Sequence, residues 1–369
     1  MMTDLLDPPA SLPPVQDAPA PSAARPPINR RLPAHPVVAI VGATGAVGIE
    51  LIESLTARDF PVARLKLLAS ARSAGLRLPF RGREIVVEEL TEDSFEGVDV
   101  AFFSAGATIS RRFVPLAVKA GAVVVDNSSA FRMDPGVPLI VPEVNAPAMA
   151  AHEGIIANPN CVAAILTVAL APLAQAARIR RLNVATYQAA SGAGAAAMEE
   201  LRAATGAYLD GQPFTPKVLP HPYAFNFFSH NADVDPDTGY NGEEDKVVAE
   251  TRRIMGRPDL PVGITCIRVP VLRAHGMAVN VEFDRPISLE EARQLIGVAP
   301  GLRLVDDRVG NHFPMPVEAT GQEAVLVGRL REDLGDPSGR SLALFIVGDQ
   351  LLKGAALNAV QIAETLLPR

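Results

Sequence analysis

From Val37 onward the apolar positions of the chain follow two rhythms. Short continuous apolar runs, "VVAIVG", "RLKLLAS", "VDVAFFSAG" and "AVVVDNSS", are bounded by glycine and small polar residues. Such runs predict strands buried on both faces. Between them, "AVGIELIESLTAR" sets Val47, Leu51, Ile52 and Leu55 on one helical face, and "ISRRFVPLAVKAG" reads as a helix stopped by Gly121. "REIVVEEL" predicts another strand, and "LIVPEVN" follows the last of the apolar runs. Apolar strands alternating with amphipathic helices indicate βαβ units and a parallel sheet covered on both faces.

The rhythm changes after "IIANPNC" (155–161). A long apolar helix begins at Cys161, and then strands dominate: "LNVATYQAAS", "VGITCIRVPVL", "MAVNVEF", "AVLVGRLRED" and "SLALFIVGD". One helix, "ISLEEARQLIG", interrupts them, and "DQLLKGAALNAVQIAETLL" closes the chain as another. This pattern predicts an α+β second domain with a mostly antiparallel sheet. The expected fold class is therefore α/β: a Rossmann-like parallel-sheet domain over 36–160, an α+β domain over 161–348, and a closing helix, 349–369, that completes the first domain. Residues 1–35, rich in Pro and Ala, read as a disordered extension.

Composition narrows the function. The 369-residue chain carries a net charge of −7 and has no basic stripe, which argues against a nucleic-acid partner. No uninterrupted apolar run reaches the ~20 residues of a membrane helix. The N-terminal stretch lacks the apolar core of an export signal. The chain has two cysteines, Cys161 and Cys266, which make no disulfide framework. They fit a reducing, cytoplasmic setting. No His/Cys/carboxylate grouping has metal-ligand spacing.

The stretch "VGATGAVGIE" (41–50) joins the first predicted strand to the first helix. Gly42, Gly45 and Gly48 are spaced by three, whereas the common dinucleotide fingerprint sets its first two glycines two apart. A strand, a glycine turn and a helix N-terminus form an anion cradle for a pyrophosphate, although such turns also occur without ligands. About 20 residues on, an NAD site places an acid for the ribose 2′-hydroxyl. Here "LLASARSAG" (67–75) has none. Ser70, Arg72 and Ser73 stand there instead, a cation and hydroxyls suited to the 2′-phosphate of NADP. An ordinary surface arginine satisfies the pattern at Arg72 as well.

"NPNC" (158–161) supplies the chemistry. Asn160 is a good N-cap, and Cys161 then lies in the first helical turn, where the helix dipole favours a thiolate. Burial as a small hydrophobe suits Cys266, in a core-strand run, better than Cys161. Of the six histidines, His35 lies in the extension and His152, His221, His230 and His312 fall in loop-like contexts. His275 ends a strand run that holds Arg268, so the two can face one cleft.

Together these blocks resemble the aspartate-β-semialdehyde dehydrogenases, from about Val37 to the last helix. "GATGAVG", "LLASARSAG", "VVVDNSSAFRMD", "VPLIVPEVN", "IIANPNC", "TYQAASGAG", "GEEDK", "IRVPVLRAHG" and "DQLLKGAALNAVQIAE" occur in family order. The resemblance implies a homodimeric, NADP-dependent enzyme of lysine, methionine and threonine biosynthesis. Such an enzyme interconverts L-aspartyl 4-phosphate and L-aspartate 4-semialdehyde plus phosphate through a cysteine acyl-thioester. It implies Cys161 as nucleophile, His275 as general acid/base and Gln188 as the group orienting substrate near the thiol. Arg268 is implied for the α-carboxylate and Glu243 for the amino group. Arg132 and Lys246 are implied for the phosphate, with Asn160 beside the nucleophile. Along the cofactor it implies Gly42, Thr44, Gly45, Ala46 and Val47 at the pyrophosphate, Ser70, Arg72 and Ser73 at the 2′-phosphate, and Ser104, Ala105, Gly106, Ser191, Gly192 and Gln350 beyond.

The stretch "HPYAFNFFSHNADVDPDTGYNG" (221–242) departs from the family pattern apart from "AFN". "EED" leaves the register of the amine-binding acid between Glu243 and Glu244. The offset of three to Lys246 favours Glu243. The nearest alternative is an enzyme like N-acetylglutamyl-phosphate reductase. "NPNC" and the pairing of "EEDK" with "RVPVLRAHG" suit a free amino-acid head group better. An extended short-chain dehydrogenase needs Tyr-x-x-x-Lys, and Tyr187, Tyr208, Tyr223 and Tyr240 have Ser191, Gln212, Phe227 and Glu244 at that offset. A non-catalytic nucleotide-binding paralogue has no need of Cys161, Gln188, Arg268 and His275 together.

Overall fold

The computed structural model describes residues 31–368. The first sheet holds β1 (Val37–Val41), β2 (Arg64–Ala69), β3 (Arg77–Phe80), β4 (Arg83–Glu89), β5 (Val100–Phe103), β6 (Val123–Asp126) and β7 (Ile155–Ala157), in the order β3-β4-β2-β1-β5-β6-β7. All neighbours run parallel except the β3–β4 pair at one edge. That short antiparallel strand is absent from the sequence expectation, because "RLPF" carries too few apolar positions to announce itself.

The continuous apolar runs become two-sided strands. In β1, Val38 and Ile40 pack with Leu51, Ile52 and Leu55 of α1 (Ala46–Ala57). Ala39 and Val41 face the other way, toward Phe113, Val114 and Ala117 of α2 (Ala107–Lys119). "LIVPEVN" is no full strand. Leu139 makes a single bridge to Ala157, and α3 (Pro142–Asn145) begins at once, as a proline at its start permits.

The second sheet is built from β8 (Ile179–Gln188), β9 (Phe228–Ser229), β10 (Val262–Arg268), β11 (His275–Phe283), β12 (Leu302–Leu304), β13 (Val325–Glu332) and β14 (Ser341–Gly348). Its order is β12-β13-β14-β11-β8-β10-β9, with β12–β13 and β8–β10 parallel and the other pairs antiparallel. One face is covered by α4 (Cys161–Ala176), α6 (Gly242–Ile254) and α7 (Leu289–Val298). Every residue of α4 from Val162 to Leu173 is buried, so this helix is apolar all round and runs through the middle of the molecule. In β8 the alternation sends Leu182, Val184, Thr186 and Gln188 under the helices and leaves Arg181, Asn183 and Tyr187 on an open face. The remaining helices are α5 (Ala195–Leu209), α8 (Pro316–Ala319) and α9 (Leu357–Thr365).

The last helix crosses back. Ala359, Val360, Ile362 and Ala363 of α9 join the core formed by α1 and β1. It is preceded by a π-helical turn, Leu352–Ala356, a form that often marks functional sites. The expectation of a disordered extension needs correction at its end, residues 31–35. Leu32 is buried in this same core and its N–H donates to the Leu366 carbonyl at 2.9 Å. Residues 1–30 lie outside the described ones. Among the described residues no helix is long and apolar enough to cross a membrane.

Candidate active site

A cavity of about 260 Å³ opens between the two sheets. On one side it meets the loop after β1, where the order of the parallel sheet reverses and ligands of α/β folds collect. The three glycines there have separate reasons. Gly42 has φ +85°, and a Cβ on it would sit 2.5 Å from the Ser104 carbonyl oxygen. A Cβ on Gly48 would lie 2.3 Å from the Gly42 oxygen. Gly45 is the N-cap of α1, and no side chain caps that helix, so the N–H groups of its first turn are left for a ligand. Spacing by three thus produces a tight turn that still presents a bare helix N-terminus. Ser73, in a 3₁₀ turn after β2, is reached by the Thr44 hydroxyl at 3.5 Å. Arg72 beside it is exposed and has no partner among the described residues.

At the other side stands Cys161, at the start of α4. Asn160 caps this helix, its Oδ1 accepting from the N–H groups of Val162 (2.9 Å) and Ala163 (3.3 Å). The Asn160 amide donates to Glu243 Oε1 at 2.9 Å, and Gln188 Nε2 donates to the same oxygen at 3.2 Å. Thr186 Oγ1 donates to Gln188 Oε1 at 3.0 Å, which fixes the amide's orientation. The register of the acidic pair is plain. Glu243 lines the cavity, whereas Glu244 closes a capping box with Asn241 and accepts the Cys266 N–H.

Two buried guanidinium groups border this end, in different company. Arg132 is committed: Nε to the Asn158 carbonyl (2.9 Å), Nη1 to Glu250 (3.0 Å) and Nη2 to the Asn127 carbonyl (2.7 Å). Arg268 is 4% exposed, yet among the described residues it has no carboxylate partner. Its Nε donates to Asn231 Oδ1 at 3.0 Å and its Nη1 to the Ala189 carbonyl at 3.2 Å. A buried cation without a counter-ion is costly unless an anion arrives from outside.

His275 is fully buried behind Gly192. A Cβ on Gly192 would meet His275 Nε2 at 2.9 Å and Arg268 Nη1 at 3.1 Å. Its Nδ1 accepts the Ala189 N–H at 2.9 Å, which leaves the proton of the neutral ring on Nε2. Burial, helped by Arg268 and His230, holds the imidazole well below its usual range.

The thiol differs from the expected thiolate. Burial and the nearby Glu243 push Cys161 up to about 12, against Arg132, Arg268 and the Val162 N–H. The helix start alone does not outweigh desolvation. Burial works against the Glu243 carboxylate too, but His230, the Asn160 amide, Lys246 and Gln188 together hold it below the usual range.

The fold brings together Asn160, Cys161, Gln188, Glu243, Arg132 and Arg268 with Val47, Ser104, Ser191, Gly192 and Gln350 around one cavity. His275 adjoins it through Gly192. Lys246 is not a wall residue. It is exposed and bears on Glu243 and His230 by charge alone. Gly42, Thr44, Gly45, Ala46, Ser70, Arg72, Ser73, Ala105 and Gly106 lie along the loop ends of β1, β2 and β5 rather than in the cavity. Sequence reasoning missed Glu250, which holds Arg132 and the Asn160 N–H with its two oxygens. Its spacing of seven from Glu243, two helical turns, was an available signal. It also missed Gly354 of the π turn, where a Cβ would sit 2.7 Å from Cys161 Cβ, and His230, which lines the cavity.

Comparison with known proteins gives a consistent picture. Residues 37–152 match the family model "Semialdehyde dehydrogenase, NAD binding domain", and residues 170–353 match "Semialdehyde dehydrogenase, dimerisation domain". An aspartate-semialdehyde dehydrogenase of Synechocystis is 53% identical, over 90% of this chain and 97% of its own length. The crystal structure of aspartate semialdehyde dehydrogenase II from Vibrio cholerae complexed with ASA is 43% identical. It has a TM-score of 0.87 and covers 90% of this chain and 98% of its own. The Candida albicans enzyme, solved with NADP, is 25% identical with a TM-score of 0.70, covering 90% of this chain and 98% of its own.

Proposed function

The chain belongs to the aspartate-semialdehyde dehydrogenases, and from that premise we propose that it converts L-aspartyl 4-phosphate to L-aspartate 4-semialdehyde through an acyl-thioester on Cys161, with NADPH as reductant. The observation that carries the reading is Arg268, a buried guanidinium with no ion-paired carboxylate among the described residues, beside the thiol and the Glu243 carboxylate. An α-amino acid offers a carboxylate for the first and an ammonium for the second, and this leaves its acyl carbon to Cys161. Planar guanidinium geometry suits a two-oxygen grip.

In this reading Cys161 Sγ attacks the acyl carbon, the carbon–oxygen bond to phosphate breaks, and a thioester forms. Arg132 and Arg268 favour the thiolate that this step needs. Arg132 keeps one N–H on each terminal nitrogen beyond its protein partners, and with the exposed Lys246 it receives the phosphate. NADPH held along the loop after β1 would supply the hydride for reduction of the thioester. The bare start of α1 and the close turn at Gly42 and Gly48 fit its pyrophosphate, and Arg72 with Ser70 and Ser73 fits the 2′-phosphate. Thr44, Gly45, Ala46 and Val47 would line the pyrophosphate, while Ser104, Ala105, Gly106, Ser191, Gly192 and Gln350 would follow the remainder. His275 meets the tetrahedral oxyanion through Nε2–H, the acid half of an acid/base role, and the Cys161 N–H adds a donor, since the Asn160 cap already takes those of Val162 and Ala163. Collapse of that intermediate returns the thiolate and releases the aldehyde.

We divide the chain into 36–160 with 349–369, and 161–348, a reading supported by the packing of α9 in the core of α1 and β1. The protein works as a homodimer through the open face of the second sheet, where Tyr187 and Phe345 lie with ring centroids 6.2 Å apart. The two free cysteines suit a reducing cytoplasm. The test is formation of NADPH from aspartate semialdehyde and NADP⁺. We expect strict dependence on inorganic phosphate and loss of activity in Cys161→Ala. Phosphate-independent turnover would overturn the reading.

A further inference from the structure

The segment 228–231 lies in the stretch that departs from the family pattern, and the mechanism above does not use it. It is nevertheless built into the site. β9 pairs antiparallel with β10 so that Phe228 lies opposite Arg268. The next residue, His230, donates its N–H to the Cys266 carbonyl at 2.9 Å, which pins it beside the same strand. Asn231 then accepts Arg268 Nε at 3.0 Å. One short edge strand therefore does two things. It sets the plane of the unpaired guanidinium, and it turns an imidazole into the cavity next to it.

The ring's state follows from its contacts. His230 Nδ1 accepts the Ala232 N–H at 3.2 Å, so the neutral ring carries its proton on Nε2. Among the described residues Nε2 has no partner. Burial first, and then the Arg268 and Lys246 charges, drive the imidazole down to about 4 despite Glu243. The ring is therefore an uncharged donor in a corner that already holds two cations. A third cation there would raise the repulsion; a neutral N–H adds a hydrogen bond without adding charge.

We propose that His230 is a substrate-binding residue whose Nε2–H donates to the α-carboxylate held by Arg268, so that the free carboxylate of an α-amino acid is read by a guanidinium and an imidazole together. This rests on the function proposed above, since it takes that carboxylate to be bound by Arg268. It deepens that reading by assigning the selection for a free, unesterified α-carboxylate to an edge strand outside the shared motifs.

The experiment is steady-state kinetics of the full chain in the oxidative direction, with each substrate varied in turn, on wild type, His230→Ala and His230→Gln. A hydrogen bond to a charged group contributes about 1.5–3 kcal/mol, or roughly 10–100-fold. His230→Ala should raise KM for aspartate semialdehyde by that factor. kcat should change less than about threefold, and KM for phosphate and for NADP⁺ should stay within about twofold. His230→Gln, which keeps a donor of similar reach, should recover most of the loss. A fall in kcat with KM for the aldehyde unchanged would overturn the proposal. So would a rise confined to KM for phosphate, or a loss that Gln does not rescue. Wild type lacking phosphate-dependent activity would overturn the parent function along with it. An active wild type with an indifferent His230→Ala would overturn this proposal alone.

Discussion

The two ends of the cavity are built on different plans. The nucleotide end is backbone: a turn of four residues between β1 and α1 and the first turn of that helix, where missing side chains bring main chain close to main chain. The acyl end is side chain. Asn160, Gln188, Glu243, Glu250 and Arg132 come from separate parts of the chain and hold one another through buried hydrogen bonds. A backbone site depends on local sterics and tolerates little. A side-chain network depends on partners far away in sequence, and its members fail together when one is removed.

Experiments can break that contrast from the strongest effect to the weakest. Cys161→Ala should lower kcat/KM by about 10⁴-fold or more while leaving the fold intact, as thermal melts would check. Glu250→Gln should test the network. Arg132 then loses its counter-ion in a dry setting, a change worth about 3 kcal/mol of stability, and activity should fall with it. Denaturant unfolding beside kcat reads both. Were only one to move, Glu250 would be no shared tether.

Gly48→Ala tests the backbone end. Its Cβ would fall within van der Waals contact of the Gly42 oxygen, so we expect a loss of about 2–4 kcal/mol, with weakened NADPH binding and little change in the reactivity of Cys161. Arg72→Ala is milder. The residue is exposed, and KM for NADPH should rise about tenfold while NADH is unaffected. An equal effect on both cofactors would remove the 2′-phosphate role.

The mildest test is of pH. A thiol raised to about 12 is protonated at neutral pH, and its thiolate fraction grows until the pH reaches that value. Alkylation of the ligand-free enzyme by iodoacetamide should therefore rise about tenfold per pH unit from 8 to 10 without a plateau. Glu243→Gln, by removing a negative neighbour, should speed it at every pH. A plateau near pH 8 would show that the helix dipole outweighs burial after all.

Legibility in the sequence follows the same contrast. The glycine turn, the strands of the first sheet and the start of α4 could be read because each constraint is local: periodicity, a cap, a residue without Cβ. The anchors Cys161, Gln188, Glu243 and Arg268 could be read as motif residues. What holds them could not. Glu250 looks like any acid on a charged helix face until Arg132, 118 residues earlier, is folded against it. His230 sits in a loop-like stretch whose two-residue strand is too short to show periodicity. The helix start, a local feature, argues for an activated thiolate at Cys161, and burial, a nonlocal one, outweighs it.

The return of α9 to the first sheet has a consequence for how the protein is made. Val38 and Ile40 leave the ribosome more than 300 residues before part of their cover, Ala359, Val360, Ile362 and Ala363. Domains ordinarily fold in order of emergence during translation. Here the nucleotide-binding half stays partly open until α9 has been made. Its apolar face must be shielded by the nascent chain or a chaperone until α9 arrives.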